Sequence, residues 1–241
     1  MWLENKIALS ALECAISSDD IAVTTLKVKR GRFINNNYMV LNRRISQALL
    51  IDPAWEIDTL ETALKDVNAE LAGILITHAH PDHIDLAEYL ANKHRCPVWI
   101  SRKEAASSGF CIPSMRTFEE CSWDVAGMLI RPIITPGHTS GSTCYWIGQH
   151  VFTGDTLFIE GCGLCSNYAD AASLFASIER LKTMLPGKVR IYPGHSYVHP
   201  PGLTFEQVFR YNIYLLFDNA EDFIKFRMRQ GQNKTGWMAF S

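Results

Sequence analysis

Thr77-His-Ala-His-Pro-Asp-His83 is the stretch from which the rest of the chain is read. It follows an apolar run, Leu71-Ala-Gly-Ile-Leu-Ile76, that reads as a buried strand. It leads into Asp85-Leu-Ala-Glu-Tyr-Leu-Ala-Asn-Lys93, which reads as a helix. Three imidazoles and one carboxylate therefore share a single strand-to-helix loop. Neutral imidazole and carboxylate are the side chains that hold divalent first-row metals. A loop this dense in such groups is not explained by packing.

The same local pattern recurs further along. His138 lies in Pro136-Gly-His-Thr-Ser-Gly-Ser142, after the apolar run Met128–Thr135. Asp155 follows Val151-Phe-Thr153, and His195 follows the strand-like Val189-Arg-Ile-Tyr192 through Pro193-Gly194. Each candidate ligand thus sits just beyond a strand, where loops at one edge of a β scaffold can converge. Five His and two Asp (His78, His80, Asp82, His83, His138, Asp155, His195) exceed what one tetrahedral zinc takes. The set suits two metals sharing a carboxylate. The remaining histidines, His94, His150 and His199, read as structural.

The chain has 241 residues, enough for one large domain with a substantial core. It is 47% hydrophobic and 20% charged, with net charge -2 and pI about 6.4, so a polyanionic partner such as nucleic acid is not expected. Seven scattered Cys form no regular framework, which points to a reducing compartment. Cys162-Gly-Leu-Cys165 is a lone pair without the second pair that a zinc knuckle needs. No apolar run reaches membrane-spanning length, and Glu4, Lys6 and Glu13 do not suit a secretory leader. The expected location is the cytoplasm, with no membrane contact.

Residues 1–20 read as a weakly amphipathic N-terminal extension. Strands are predicted over 21–28, 37–42 and 46–51, with Asn and Gly taken as turn residues between them. Helical spacing follows over 56–67, a short strand over 97–100 and a short helix over 102–107. Residues 108–127 show no period and read as a functional loop. Pro132 suggests an edge or a bend in the strand over 128–135. A strand pair over 143–147 and 151–153 precedes a helix over 171–185. Helices are predicted over 205–217 and 220–229. This order suits an α/β architecture of two sheets flanked by helices, with a domain over 21–203 and a C-terminal helical segment over 204–241 packed on it.

Thr77–His83, Pro136-Gly-His138, Gly154-Asp155 and Pro193-Gly-His195 together resemble the metal motifs of the metallo-β-lactamase superfamily, in order from about residue 20 to 200. The resemblance implies an αββα sandwich and two bound Zn2+, with iron or manganese as substitutes. It implies His78, His80 and His138 for the first metal, Asp82, His83 and His195 for the second, and Asp155 as the bridge. Gly154-Asp-Thr-Leu-Phe158 with Gly161-Cys-Gly163 is similar to the glyoxalase II-like branch, where a Tyr placed like Tyr197 contacts substrate. Two departures stand out. Leu164 and Ser166 occupy the places of a Lys and a Tyr that hold glutathione there, and Ile84-Asp85 stands where many relatives have Gly-Gly. With Asp85, Glu160 and the tail Phe223–Arg229, the chain looks most like the zinc-dependent hydrolases that accompany modular, trans-acyltransferase polyketide synthases.

That resemblance implies hydrolysis of acyl groups thioesterified to the phosphopantetheine arm of an acyl carrier protein. On that resemblance, two metals held there would lower the pKa of a bound water toward neutrality, and Asp82 would hold and orient it for attack on the carbonyl. The thiolate leaving group, of pKa about 8.5, needs little help from an acid. No Gly-x-Ser-x-Gly elbow occurs, so serine hydrolase chemistry is not expected. Lys225, Arg227 and Arg229 are candidates for contact with an acidic carrier, against a reading as a solvated helix face. Tyr211, Tyr214 and Phe217 read as core. The alternatives are an iron-dependent persulfide dioxygenase, a lactone or lactam hydrolase on the same metals, and a non-catalytic carrier-docking module.

Overall fold

The computed structural model describes residues 20–231, so the N-terminal extension and the last ten residues lie outside the description apart from Asp20. Alternation of period two builds the strands. Along β1 (Ile21–Arg30), β2 (Phe33–Asn42) and β3 (Gln47–Ile51), side chains point in turn to opposite faces. Tyr38, Val40, Leu49 and Ile51 enter a core between two sheets, whereas Met39, Leu41, Ala48 and Leu50 face the covering helices. In β3 and the second half of β2 both faces are buried, so these stretches read as near-continuous apolar runs.

The first sheet has the order β1-β2-β3-β4-β5-β6, where β4 is Glu70–Leu75, β5 is Val98–Ser101 and β6 is Met115–Phe118. Helices α1 (Ile57–Asp66) and α3 (Ala87–His94) pack on its outer face through Leu60, Leu64, Leu90 and Ala91. A single turn, α2 (Pro81–Ile84), precedes α3, and α4 (Arg102–Ser108) follows β5. The second sheet runs β12-β11-β10-β9-β8-β7. Its strands are β7 (Trp123–Val125), β8 (Met128–Ile134), β9 (Thr143–Ile147), β10 (His150–Gly154), β11 (Arg190–Pro193) and β12 (Leu203–Thr204). The long α5 (Tyr168–Met184) covers it through Leu174, Ile178 and Leu181. The layers are therefore αββα, as the sequence motifs imply.

The two sheets meet at the edge that carries the ligand loops. Tyr145 Oη donates to Ile76 O at 2.7 Å, and Thr143 N donates to Thr77 O at 2.9 Å. Gly154, at φ +47°, lies so close to Thr77 that a Cβ there would fall 2.4 Å from its hydroxyl. Only glycine satisfies both conditions.

Two expectations change. Residues 108–127 are not one irregular loop: β6 extends the first sheet and β7 the second, and Phe118 and Trp123 pack ring to ring at 4.8 Å. Strands of three or four residues are too short to show a period. Pro132 does sit at a local edge, because the pairing of β8 with β7 goes no further than Ile130. The helix predicted over 205–217 is broken into α6 (Phe205–Val208) and a 3-10 turn, Ile213–Leu216. Asn212 interrupts it. Its carboxamide accepts from Tyr214 N and donates to Phe158 O and Gly161 O, so it is committed to the loop after β10. Finally α7 (Ala220–Arg227) packs on α5, with Phe223 fully buried against Phe175.

Candidate metal centre

The seven predicted side chains converge, and they fall into overlapping groups. His78, His80 and His138 form one group of donor atoms, His78, His83 and Asp155 a second, and Asp82, His83 and His195 a third, each spanning no more than 4.8 Å. His80 Nδ1 lies 3.0 Å from both His78 Nε2 and His138 Nε2. Asp155 reaches both sides: Oδ2 lies 3.6 Å from His138 Nε2 and 3.3 Å from His195 Nε2, and Oδ1 lies 3.5 Å from His83 Nε2. Asp82 Oδ2 is 3.6 Å from the Nε2 atoms of His83 and His195. Donors held about 2.0–2.1 Å from a tetrahedral zinc stand about 3.3–3.4 Å apart, so these separations fit.

Buried polar atoms test that fit independently. Asp82 Oδ1, His83 Nε2 and Asp155 Oδ1 are all buried without a hydrogen-bond partner. Such orphans are costly unless a ligand completes them. Two divalent ions would complete His83 and Asp155, and a water bound with them would complete Asp82 Oδ1; the chain holds the His/Asp clusters for a dimetal site.

The supporting residues went unread in the sequence. Asp52, at φ +52°, ends β3 and accepts from Thr77 N, from Thr77 Oγ1 and from His83 Nδ1 at 2.6–2.9 Å. It thereby leaves His83 Nε2 as the nitrogen that faces the other donors. Glu104 is 1% exposed and accepts from Ala79 N, Thr139 Oγ1 and Gly141 N, which joins the loop of His78 and His80 to that of His138. His138 Nδ1 donates to Leu164 O at 2.8 Å. Gly163 is pressed against Asp155 O and the His138 ring, where a Cβ has no room. Asn35 and Asn36, which precede the strand predicted over 37–42, are buried inside β2 with Asn37; Asn35 and Asn36 bond to the loops of Asp82 and His195, and Asn37 bonds to Asp52 O. Their presence in a strand, where Asn is disfavoured, was the available signal.

The charges follow from burial and company. Burial, with positive neighbours, pushes His78 well down and His80 down to about 4. Burial opposes protonation of His83, but the carboxylates of Asp52, Asp82 and Asp155 overcome it and raise its pKa to about 10. Asp155 is held well below the usual carboxylate range: burial would raise it, and His195 and His83 outweigh that. His78 and His80 therefore present neutral imidazoles, and His83 a proton that a metal would displace.

His94 pairs with Glu61 at 3.0 Å, His150 meets Tyr192 Oη at 3.1 Å, and His199 bonds Glu160 at 2.8 Å; none belongs to the donor groups. Tyr197 stands on the rim, 60% exposed, with Phe158 between it and His195. Tyr214 is core as expected, but Tyr211 is 46% exposed and stacks on His199. Cys162 and Cys165 are buried, and burial pushes both thiols up, Cys165 to about 11. Of the tail cations, Lys225 and Arg229 are exposed, but Arg227 departs from both readings. It is 1% exposed, neither a docking charge nor a solvated one, and its Nε donates to Gly163 O at 2.8 Å.

Residues 30–195 match the family model of the metallo-β-lactamase superfamily, and the chain belongs to that superfamily. Within it, the chain is 37% identical over 212 residues to a probable polyketide biosynthesis zinc-dependent hydrolase, BaeB, of Bacillus velezensis, covering 87% of this chain and 94% of that one. A hydroxyacylglutathione hydrolase of Tolumonas auensis is 30% identical over 168 residues, covering 68% of this chain and 63% of that one. The crystal structure of a metallo-β-lactamase from Staphylococcus aureus shares the fold, with TM-score 0.78 at 20% identity, over 87% of this chain and 67% of that one.

Proposed function

We propose that this chain hydrolyses acyl thioesters, and that its substrate is an acyl group on the phosphopantetheine arm of an acyl carrier protein in polyketide biosynthesis. The observation that carries the hydrolytic reading is the pair of donor clusters joined through Asp155, with three buried ligand atoms left unpartnered. His78, His80 and His138 would hold one Zn2+, Asp82, His83 and His195 the other, and Asp155 would bridge them. Bound there, the two ions supply Lewis acidity and a water of lowered pKa.

The chain's own residues do the rest. Asp82 offers one oxygen toward His83 and His195 and keeps a second, Oδ1, buried and unpaired, available to hold and orient the nucleophilic water. Asp52 fixes the His83 ring, and Leu164 O fixes that of His138, so neither ring turns during turnover. Phe158 and Tyr197 form an apolar wall beside His195 that suits the arm and acyl chain better than bulk water. A thiolate leaves without a dedicated acid.

The carrier-bound substrate is supported by the similarity to the polyketide hydrolase over nearly its whole length, which exceeds that to the hydroxyacylglutathione hydrolase. Leu164 and Ser166 add to it, since neither side chain offers a cation or a phenol to glutathione. The test is mass spectrometry of several acyl-loaded carrier proteins, beside the glutathione thioester and a lactone, before and after incubation with the metal-loaded protein. Loss of the acyl mass from the carrier, abolished in Asp82→Ala, is the expected result. Turnover of the glutathione thioester alone, or full activity in Asp82→Ala, overturns the reading.

A further inference from the structure

The Asn35-Asn36-Asn37 run is placed where three strand residues reach three different loops. Alternation sends Asn36 toward the second sheet and Asn35 and Asn37 away from it. Asn35 Nδ2 donates to Asp82 O at 2.8 Å and to Asp82 Oδ2 at 2.9 Å. Asn36 Nδ2 donates to Pro193 O at 3.1 Å and to Ser196 Oγ at 2.7 Å, while Asn36 N donates to Gly194 O at 2.8 Å. The preceding carbonyl, Ile34 O, accepts from His195 Nδ1 at 3.2 Å. Asn37 accepts from Ala54 N and donates to Asp52 O.

We propose that residues 34–36 are a bracket for one half of the metal centre, with Asn35 the positioning residue for Asp82 and Ile34 and Asn36 those for His195. The bonds are distributed unevenly between the two halves. Asp82 and His195 are both tied to this one short stretch of β2. His78, His80 and His138 are held elsewhere, by Thr77, Glu104 and Leu164 O. Asn37 is left out of the bracket because its partner Asp52 also binds Thr77, beside His78, and so acts on both halves.

Asparagine at 35 is a specific choice. One NH2 group satisfies a main-chain carbonyl and a carboxylate oxygen together, which sets the Asp82 rotamer and its backbone in one step. An aspartate there would face Asp82 with like charge. An aliphatic side chain would leave both Asp82 oxygens without their donor at a site 1% exposed at residue 35. A strand paired along its length, as residues 34–36 are with β1, holds its residues more rigidly than a loop does, so a ligand tied to β2 inherits that rigidity.

The inference rests on the two-cluster reading of the centre but not on the choice of thioester. The experiment is a stepwise Zn2+ titration of the metal-free protein against a chromogenic chelator, with circular dichroism as a check on folding. In Asn35→Ala one of two binding steps weakens about 10- to 100-fold and the other stays within about threefold. Ser196→Ala, which removes only a hydroxyl from the Asn36 contact, shifts the same step by a smaller factor and covers the case where Asn35→Ala does not fold. With the thioester substrate, kcat falls in Asn35→Ala while KM holds. Equal weakening of both steps, no weakening in either variant, or a parent protein that binds one Zn2+ overturns the proposal. A parent that binds two Zn2+ with the selective loss, yet cleaves no carrier thioester, sinks the proposed substrate and leaves the bracket standing.

Discussion

Glu104→Gln is the substitution whose consequence follows most directly from the geometry. The parent carboxylate takes three bonds: Oε1 accepts from Ala79 N at 2.9 Å, and Oε2 accepts from Thr139 Oγ1 at 2.7 Å and from Gly141 N at 3.0 Å. Glutamine has the same shape but one NH2 in place of an oxygen. If its oxygen faces Ala79, the NH2 meets the Gly141 N–H; if it faces Gly141, the NH2 meets the Ala79 N–H. Either way one buried donor confronts another. The loop has no room to retreat, since a Cβ on Gly141 would already lie 2.2 Å from Glu104 N. A bond to a charged group contributes roughly 1.5–3 kcal/mol, and an orphaned buried donor costs about 1–3 kcal/mol. Allowing for relaxation, the variant loses about 2–4 kcal/mol. For a domain of this size each kcal/mol is about 2–4 °C in Tm, so the metal-free protein should melt about 5–15 °C lower. Because the same bonds join the loops of His78, His80 and His138, Zn2+ affinity at that half should fall about tenfold or more. Calorimetry of the chelator-treated protein and chelator competition of the reconstituted protein measure the two effects. A variant that melts within 1 °C or so of the parent and binds Zn2+ equally well refutes the reasoning.

The metal-free protein should lose stability on both sides of about pH 6.5. The folded pKa of His83 is raised to about 10, so its contribution is complete below about pH 6.5 and is lost as pH rises toward 10. The folded pKa of His80 is lowered to about 4, so its contribution is complete above about pH 6.5 and is lost as pH falls toward 4. Melting curves of chelator-treated protein at pH 5, 6.5 and 9 should show this, and the alkaline fall should vanish once Zn2+ replaces the His83 proton; a Tm that climbs from pH 6.5 to 9 without metal contradicts it. Arg227→Met should destabilise by about 1–3 kcal/mol, since a buried charge-assisted bond to Gly163 O is lost while the aliphatic volume is largely kept. It should also weaken Zn2+ binding, because the neighbouring Leu164 O holds His138. Denaturant titration and chelator competition read these; normal Zn2+ binding would show that the C-terminal helix does not act on the centre.

Several features were legible in the sequence because they are local. The alternation of β2 and β3, the spacing of α1 and α5, and the dense run from His78 to His83 are decided by residues within a few positions of one another. The recurrence of His or Asp just past a strand was enough to nominate all seven donors, which the structure brings within reach of one another. The short strands β6 and β7 were missed because three or four residues have no measurable period; pairing with distant strands creates them. The helix over 205–217 failed because Asn212 is recruited by the loop after β10, more than fifty positions away.

What the sequence determined by itself, then, is two sheets flanked by helices and seven candidate donor residues, since periodicity and side-chain chemistry are properties of short stretches, while the αββα order came from the likeness of the motifs to a known superfamily. Tertiary structure alone decided how those donors are held. Asp52, Glu104 and the asparagines of β2 act on partners far along the chain. The same holds for Arg227, a surface cation by composition, which is buried because α7 carries it under Gly163. A hydrogen bond across such separations depends on where folding brings two atoms, and no local pattern of residues encodes that.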